Sequence, residues 1–315
     1  MVFRESVRHP CSVSLPVPVS TMINRQRLVK LLSYLFLIIS SCVMAYPVLF
    51  LVVGSFIEPD TSQIISPSLV LRHLVDELTM RAMNYGVAES SLFTFERASF
   101  YVAFNLLVGL VGGYVFSKLR FPGRNKVFLL FLSGLVMPQI IMIVPMYLLM
   151  AWFPLAGGNN ILGQGGHGFI GNWPVLFLYG WVSPFAIFLL KQSYDMLPTE
   201  YEDAAKMDGA GVLTVIFRIY GPLLKPPLVA LATITFLSVW NDYLWPSLTV
   251  ISQAQWHPIA MRMQYIIGSY WAPVSGTDYP AILARTLVAL WPPALLYFVL
   301  QRYLVQGLVA SGLKG

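Results

Sequence analysis

Residues 127–152, VFLLFLSGLVMPQIIMIVPMYLLMAW, contain no Asp, Glu, Lys or Arg. A helix needs roughly 20 mostly apolar residues to cross the hydrocarbon of a bilayer, and this run exceeds that length without offering a charged face to water. The charge-free stretch in fact continues from Val127 to Leu190, interrupted by Gly157, Gly158, Asn159, Asn160 and the glycines after them. Glycine and asparagine gather where chains turn, so the stretch reads as a helical hairpin and not as one giant span.

Working outward, further apolar runs lie near 30–54, 99–117, 173–190, 227–249 and 282–304. With 127–152 they predict an all-α integral membrane protein of about six transmembrane helices. Composition agrees: 57% of the 315 residues are hydrophobic and 11% are charged, against roughly 25% charged in soluble domains. Prolines within the runs, Pro138, Pro145, Pro184, Pro292 and Pro293, predict kinks.

The cations supply a test of this reading. Arg4, Arg8, Arg25, Arg27 and Lys30 precede the first run, and Lys118, Arg120, Arg124 and Lys126 fill the second connection. Lys191, Lys206, Arg218 and Lys225 fill the fourth, and Arg302 and Lys314 sit at the end. These are fifteen of the twenty Lys and Arg residues, all on one side of a six-span arrangement. Cytoplasmic loops carry such an excess, which puts both termini in the cytoplasm. The net charge of +6 is thereby accounted for by orientation in the lipid bilayer, and no nucleic-acid partner is expected.

Residues 1–29 read as a flexible cytoplasmic tail, with Met22 a candidate natural start, and 30–315 as one membrane domain. The opposite side receives the segment 55–98, with Arg72, Arg81, Arg97, Glu58, Asp60, Asp76, Glu77, Glu89 and Glu96, which predicts an external lobe, together with Arg262 and Arg285. A second external segment, about 250–281, carries Trp256, Tyr265, Tyr270, Trp271 and Tyr279; these form either an interfacial aromatic belt or a contact with substrate or partner.

Enzymatic readings find little support. Cys11 and Cys42 lie apart, one in the tail and one in an apolar run, and His9, His73, His167 and His257 are scattered, so neither a disulfide framework nor a metal site is suggested. There is no Gly-x-Ser-x-Gly elbow and no Gly-Lys pair for a phosphate-cradling loop. Gly163-Gln-Gly-Gly-His-Gly168 has the spacing of a dinucleotide fingerprint, but it follows a membrane helix with no strand before it.

The most informative connection runs from Leu197 to Pro222 and begins Leu197-Pro-Thr-Glu-Tyr-Glu-Asp-Ala-Ala-Lys-Met-Asp-Gly-Ala-Gly211. Thr199 with Glu202 three residues later has the form of a capping box, so a helix should start at Thr199. Gly209 and Gly211 allow a turn. Val212, Val215, Ile216 and Ile219 then recur at helical spacing, and Pro222 and Pro226 close the segment. An ordered acidic helix-turn-helix in so apolar a protein predicts a docking partner.

At these residues the chain resembles the permease subunits of ATP-binding-cassette importers, whose loop reads Glu-Ala-Ala, two residues, Asp-Gly-Ala, with a proline thirteen positions after the glycine. Asp203-Ala204-Ala205, Asp208-Gly209-Ala210 and Pro222 fall at that spacing, and Pro226 matches a second proline. Asp203 replaces the usual Glu, with Glu202 just before it. The Asp-Gly-Ala form is similar to the carbohydrate branch, the maltose-type permeases, as are Leu119-Arg-Phe-Pro-Gly-Arg-Asn125, Trp240-Asn-Asp-Tyr-Leu-Trp-Pro246 and the end from Gln301 to Gly315.

The resemblance implies a type I importer permease with a cytoplasmic coupling helix at 197–222, its coupling residues being Glu202, Asp203, Ala204, Ala205, Asp208, Gly209 and Ala210. It also implies a second related permease, an ATPase dimer that binds ATP and Mg, an extracytoplasmic solute-binding protein, and a di- or oligosaccharide substrate. This chain itself would hold no cofactor and no metal, and would not be an enzyme. Asn241 and Asp242 are translocation-pathway candidates, since an ionisable group at membrane depth is costly. At 1.5 Å per residue Asp242 sits about 22 Å from Pro227, toward the external side. The alternative is that the two residues bond neighbouring helices, as expected of Asn105 and Gln139. Rival readings are a permease for a non-sugar solute, an ion-coupled secondary transporter and a membrane-embedded enzyme.

Overall fold

A computed structural model describes residues 19–56, 86–180, 183–270 and 279–312. The chain divides into two units, Met1–Val53 and Gly54–Gly315. The first is, among its described residues, a single helix, α1, which starts at Val19 and runs to Gly54. Residues 19–29, expected in a flexible tail, are thus helical; from Pro18 onward no proline occurs before Pro47, which sits inside the helix.

The second unit is built around α2, Val87–Lys118. Its 32 residues make a rod of about 48 Å at 1.5 Å per residue, longer than the ~30 Å of hydrocarbon. It begins twelve residues before the run read at 99, so 87–98, expected in an external lobe, are its opening turns; residues 57–85 of that segment lie outside the described residues.

Next come α3, Arg124–Val136, and α4, Gln139–Ala151, bent by 101° at Met137 and Pro138. Both residues have extended backbone; Met137 is pushed out of the helical region because it precedes a proline. Pro145 is accommodated inside α4.

The expected hairpin turn is a glycine-rich loop from Trp152 to Trp173. The run read at 173–190 is two helices, α5, Pro174–Leu178, and α6, Pro184–Asp195. Gly180 takes a positive φ of 77° between them. Pro184 therefore opens a helix, at a position where its missing N–H costs nothing, instead of kinking one.

The chain continues through α7, Glu200–Met207, and α8, Val212–Leu223, whose middle, Val215–Tyr220, widens to a π-helix. Then follow α9, Lys225–Trp240, and α10, Leu244–Thr249, separated by Asn241, Asp242 and Tyr243. After a 3₁₀ turn at Ala254–Trp256 come α11, Ile259–Tyr270, and α12, Tyr279–Gly312, with Pro292 and Pro293 inside it. No strand occurs among the described residues. Among the described residues, segments within α1, α2 and α12, the stretch Lys225–Thr249 formed by α9 and α10 together, and the bent α3–α4 pair are long and apolar enough to cross a membrane.

Lipid tails are as apolar as leucine, so helices associate in membranes by close packing and polar contacts. The α2–α6 contact has this character. A Cβ on Gly109 would lie 3.2 Å from the Ala186 carbonyl, and one on Gly113 would lie 2.9 Å from the Leu190 Cβ. On the outer faces of α3 and α4, Leu129, Leu130, Ile140, Ile141 and Val144 are exposed, as lipid-facing residues should be.

Candidate functional site

The predicted coupling residues stand together on α7 and its C-terminal turn, and the helix opens at Glu200 with Thr199 as its N-cap residue, where the spacing put it. The capping box itself does not form: Thr199 is in the helical region and its side chain makes no capping bond. The reason is that Glu202 turns the other way. Its carboxylate accepts hydrogen bonds from the Tyr114 hydroxyl at 2.7 Å and from the Tyr220 hydroxyl at 3.4 Å, and pairs with Lys206 at 2.7 Å. Three partners outbid one backbone N–H.

Tyr114, Tyr194 and Tyr220 pack ring against ring around this carboxylate, over Leu190, Val215 and Ile216. Burial would raise the pKa of Glu202, but the bonds from Lys206, Tyr114 and Tyr220 outweigh it and hold the carboxyl below its ordinary range.

At its other end α7 stops in a Schellman turn. The Ala210 N–H bonds the Ala205 carbonyl at 2.9 Å and the Gly209 N–H bonds the Lys206 carbonyl at 3.0 Å. That pattern needs a left-handed residue, and Gly209 supplies it at φ 79°. Gly211 is extended, at φ −73° and ψ 162°, so only the first glycine makes the turn. Ala205 and Ala210 close it by packing into the same core.

The seven coupling residues thus divide into two faces. Glu202 and Ala205 are buried and Ala210 half-buried, whereas Asp203, Ala204, Asp208 and Gly209 are exposed. Beside them Met196, Tyr201, Met207, Val212, Leu213 and Phe217 are exposed apolar side chains, Met207 at 88%. The approach to the loop is fixed to the end of α2: Lys118 Nζ donates to the Leu197 carbonyl at 2.8 Å, and Ser117 donates to Asp195, itself paired with Lys191. Burial would raise the Asp195 pKa, but the bonds from Lys191 and Ser117 lower it overall.

The two pathway candidates lie in the α9–α10 break, on the wall of a cavity of about 590 Å³. Asn241 donates back to the Leu237 carbonyl at 2.8 Å. Asp242 pairs with Arg97 of α2 at 2.6 Å; the arginine is 2% exposed and the aspartate 22%. Arg97 also donates through Nε to the Leu176 carbonyl at 2.8 Å and lies over the Tyr101 ring.

Arg97 belongs to a set of donors that solve a specific problem. Where α5 ends, its carbonyls have no helical partners, and an unpaired backbone group in lipid costs several kcal/mol. Trp245 Nε1 donates to the Val175 carbonyl at 3.0 Å, Arg97 takes Leu176, and the Tyr101 hydroxyl is shared between Leu176 and Tyr179. Tyr179 stacks on Trp245 with ring centroids 4.2 Å apart. Asn105 accepts from the Ser183 N–H at the start of α6 and Gln139 lines the cavity, so Asn105 does join helices.

Sequence reading missed Arg97, Tyr101 and Tyr114. Arg97 was placed among external cations, although its i, i+4 relation to Tyr101 and Asn105's further i+4 step marked a polar stripe on α2. Of the other external candidates, Arg262 donates to Ser90 and to the Ala254 carbonyl and Trp256 packs on Phe93; Trp271 lies outside the described residues. Gly163–Gly168 is part of the Trp152–Trp173 loop, with Gly163, Gly165 and Gly168 at positive φ.

A polar cavity where membrane helices are discontinuous is the arrangement found in solute pathways. The chain is 29% identical over 276 residues to the arabinooligosaccharides transport system permease protein AraQ of Halalkalibacterium halodurans, covering 86% of this chain and 91% of that protein. It is 27% identical to the lactose transport system permease protein LacG of Rhizobium radiobacter, over 91% and 97%. To the sn-glycerol-3-phosphate transport system permease protein UgpE of Yersinia enterocolitica it is 33% identical, over 68% and 71%. Its fold matches a chain from the crystal structure of a bacterial ABC transporter involved in the import of the acidic polysaccharide alginate, with a TM-score of 0.69 at 20% identity, covering 89% of this chain and 97% of that one. The description of one family fits residues 16–309, nearly the whole length over which the fold and both sites extend: the chain belongs to the binding-protein-dependent transport system inner membrane components.

Proposed function

We propose that this chain is one permease subunit of an ATP-driven sugar importer, taking up a neutral di- or oligosaccharide delivered by an extracytoplasmic binding protein. It forms half of the translocation pathway with a second, related permease. An ATPase dimer, which binds the ATP and Mg, docks on the loop at 197–222, on the cytoplasmic side of a bacterial inner membrane with both termini on that side.

The observation that carries this reading is the two-faced α7. A helix anchored from beneath by Glu202 and presenting Asp203, Asp208 and Met207 outward is built to take force from a partner without coming loose. Tyr114, which holds Glu202, and Arg97, which holds Asp242, are 17 residues apart on the same helix, about 26 Å at 1.5 Å per residue. Movement of the loop is therefore carried along α2 to the cavity, and a rigid-body shift of helices exchanges inward for outward access.

The sugar assignment is supported by the names of the arabinooligosaccharide and lactose relatives and by the cavity's hydroxyl and amide lining. The glycerol-phosphate relative favours a second reading, a phosphorylated solute; the balanced pair of Arg97 and Asp242 on the cavity wall argues against it. Uptake of labelled oligosaccharides by the host and by a strain lacking the gene tests the proposal. Loss of uptake of at least one neutral sugar, restored by the intact gene and not by Gly209→Val, is expected; unchanged uptake across neutral sugars with loss for a phosphorylated polyol would replace this reading with the second.

A further inference from the structure

Among the described residues that line the cavity, Arg97 and Asp242 are the only charged ones, and they are not equally available. Arg97 lies behind, 2% exposed, with Nε and Nη2 occupied by the Leu176 carbonyl and Asp242; Asp242 stands in front at 22%, one oxygen on the arginine. A solute in the cavity therefore meets the carboxylate edge first, with the compensating cation set behind it. Around it are the hydroxyl-bearing or amide-bearing residues Asn105, Gln139, Ser183, Thr235 and Ser238 and the ring of Tyr179. The Nη1 of Arg97, buried, finds no partner among the described residues.

We propose that Asp242, backed by Arg97, is a saccharide subsite within this subunit that accepts hydroxyl donors and turns away anionic sugars. The inference rests on the importer reading and names a filter inside it. A carboxylate accepts from one or two sugar hydroxyls, each a charge-assisted bond stronger than a neutral one. The carboxylate of a uronic acid brought to the same place meets like charge in a poorly screened cavity, while its compensating cation is behind and already engaged. The cavity's volume is in the range that holds small ligands, and the face of the half-buried Tyr179 ring turned away from Trp245 offers apolar surface to the C–H face of a pyranose or furanose ring.

Charge inversion at the front of the pair distinguishes this from a structural bridge. Asp242→Asn leaves the arginine uncompensated and should turn rejection of anions into attraction, whereas Asp242→Glu keeps the filter. The assay is calorimetric binding to the complete solubilised transporter, without its binding protein, using maltotriose and arabinotriose as neutral probes and trigalacturonate as the anionic one.

Wild type should bind a neutral probe and discriminate against trigalacturonate; Asp242→Asn should shift the ratio toward trigalacturonate by about tenfold, and by less at high salt. If that variant does not elute as an intact complex, the double variant Arg97→Gln, Asp242→Asn, with neither charge, carries the test and should relax the discrimination severalfold. A ratio unchanged in the variant that folds overturns the subsite while leaving the importer reading intact. Binding of trigalacturonate and of neither neutral probe by wild type overturns the subsite and the neutral-sugar reading together.

Discussion

The hydroxyl of Tyr114 donates a 2.7 Å hydrogen bond to Glu202, 88 residues further along the chain, and both side chains are buried. This single contact fastens α7 to α2, the longest helix of the second unit save α12. A hydrogen bond to a charged group contributes about 1.5–3 kcal/mol, so Tyr114→Phe should lower the apparent melting temperature in detergent and weaken ATP-dependent uptake more than it lowers the amount of protein in the membrane. Equal losses of uptake and of folded protein would assign the bond to stability alone.

The same carboxyl predicts an acid limit. Its folded pKa lies below the unfolded one, burial being outweighed by Lys206, Tyr114 and Tyr220. Its contribution to stability is present above the ordinary carboxylate pKa and is lost as pH falls through the lowered folded value. Unfolding followed against pH should show a loss of stability below about pH 4.3 that is diminished in Glu202→Gln, which starts less stable at neutral pH.

Gly209 is a matter of backbone and not of space. Its φ is 79°, and a Cβ there would meet nothing within 4 Å. A β-branched residue is strained in this region by roughly 1–2 kcal/mol, whereas asparagine tolerates it better. Gly209→Val should therefore abolish coupled uptake with the protein still in the membrane, and Gly209→Asn should retain a substantial part, as measured by transport per immunodetected subunit.

Gly113 presents the opposite case. A Cβ would come within 3.0 Å of the backbone of α6, where no side chain can move aside. Gly113→Val should force α2 from α6 at a cost of about 1–3 kcal/mol, visible as a lower apparent melting temperature, while Gly123→Ala on the connecting loop, at φ 79° and with open space around it, should cost less.

Removing one member of the Arg97–Asp242 pair is more damaging than removing both. Arg97→Leu strands the carboxylate and the Leu176 carbonyl and should destabilise by about 3–5 kcal/mol, while Arg97→Leu with Asp242→Leu should regain part of that loss without regaining transport. Thermal unfolding of wild type and the two variants gives the comparison.

The apolar runs and their rough order were legible because membrane helices are written in composition, and the short helix and glycine turn after Leu197 because Gly209 and the two alanines are fixed in local spacing. Contacts distant in sequence were not. Charge counting is a one-dimensional rule and could not show that Arg97 is buried against Asp242, 145 residues away. Thr199 and Glu202 had a capping box's spacing, yet Glu202 bonds tyrosines on α2 and α8 instead. The breaks after Leu178 and after Trp240 were hidden since Gly180 and Asn241-Asp242 lie in runs apolar enough to pass as continuous spans; what makes the breaks tolerable, donors from Arg97, Tyr101 and Trp245, comes from other helices.

The most direct measurement is affinity purification of the solubilised chain from its own host membranes, with identification of what accompanies it, comparing wild type with the double replacement Asp208→Ala, Gly209→Val. Recovery of an ATPase and a second permease with wild type, with the ATPase alone diminished in the variant, is the predicted result. Equal recovery of the ATPase by both proteins, or recovery of the chain alone under mild conditions, would contradict the assignment of 197–222 as the docking loop.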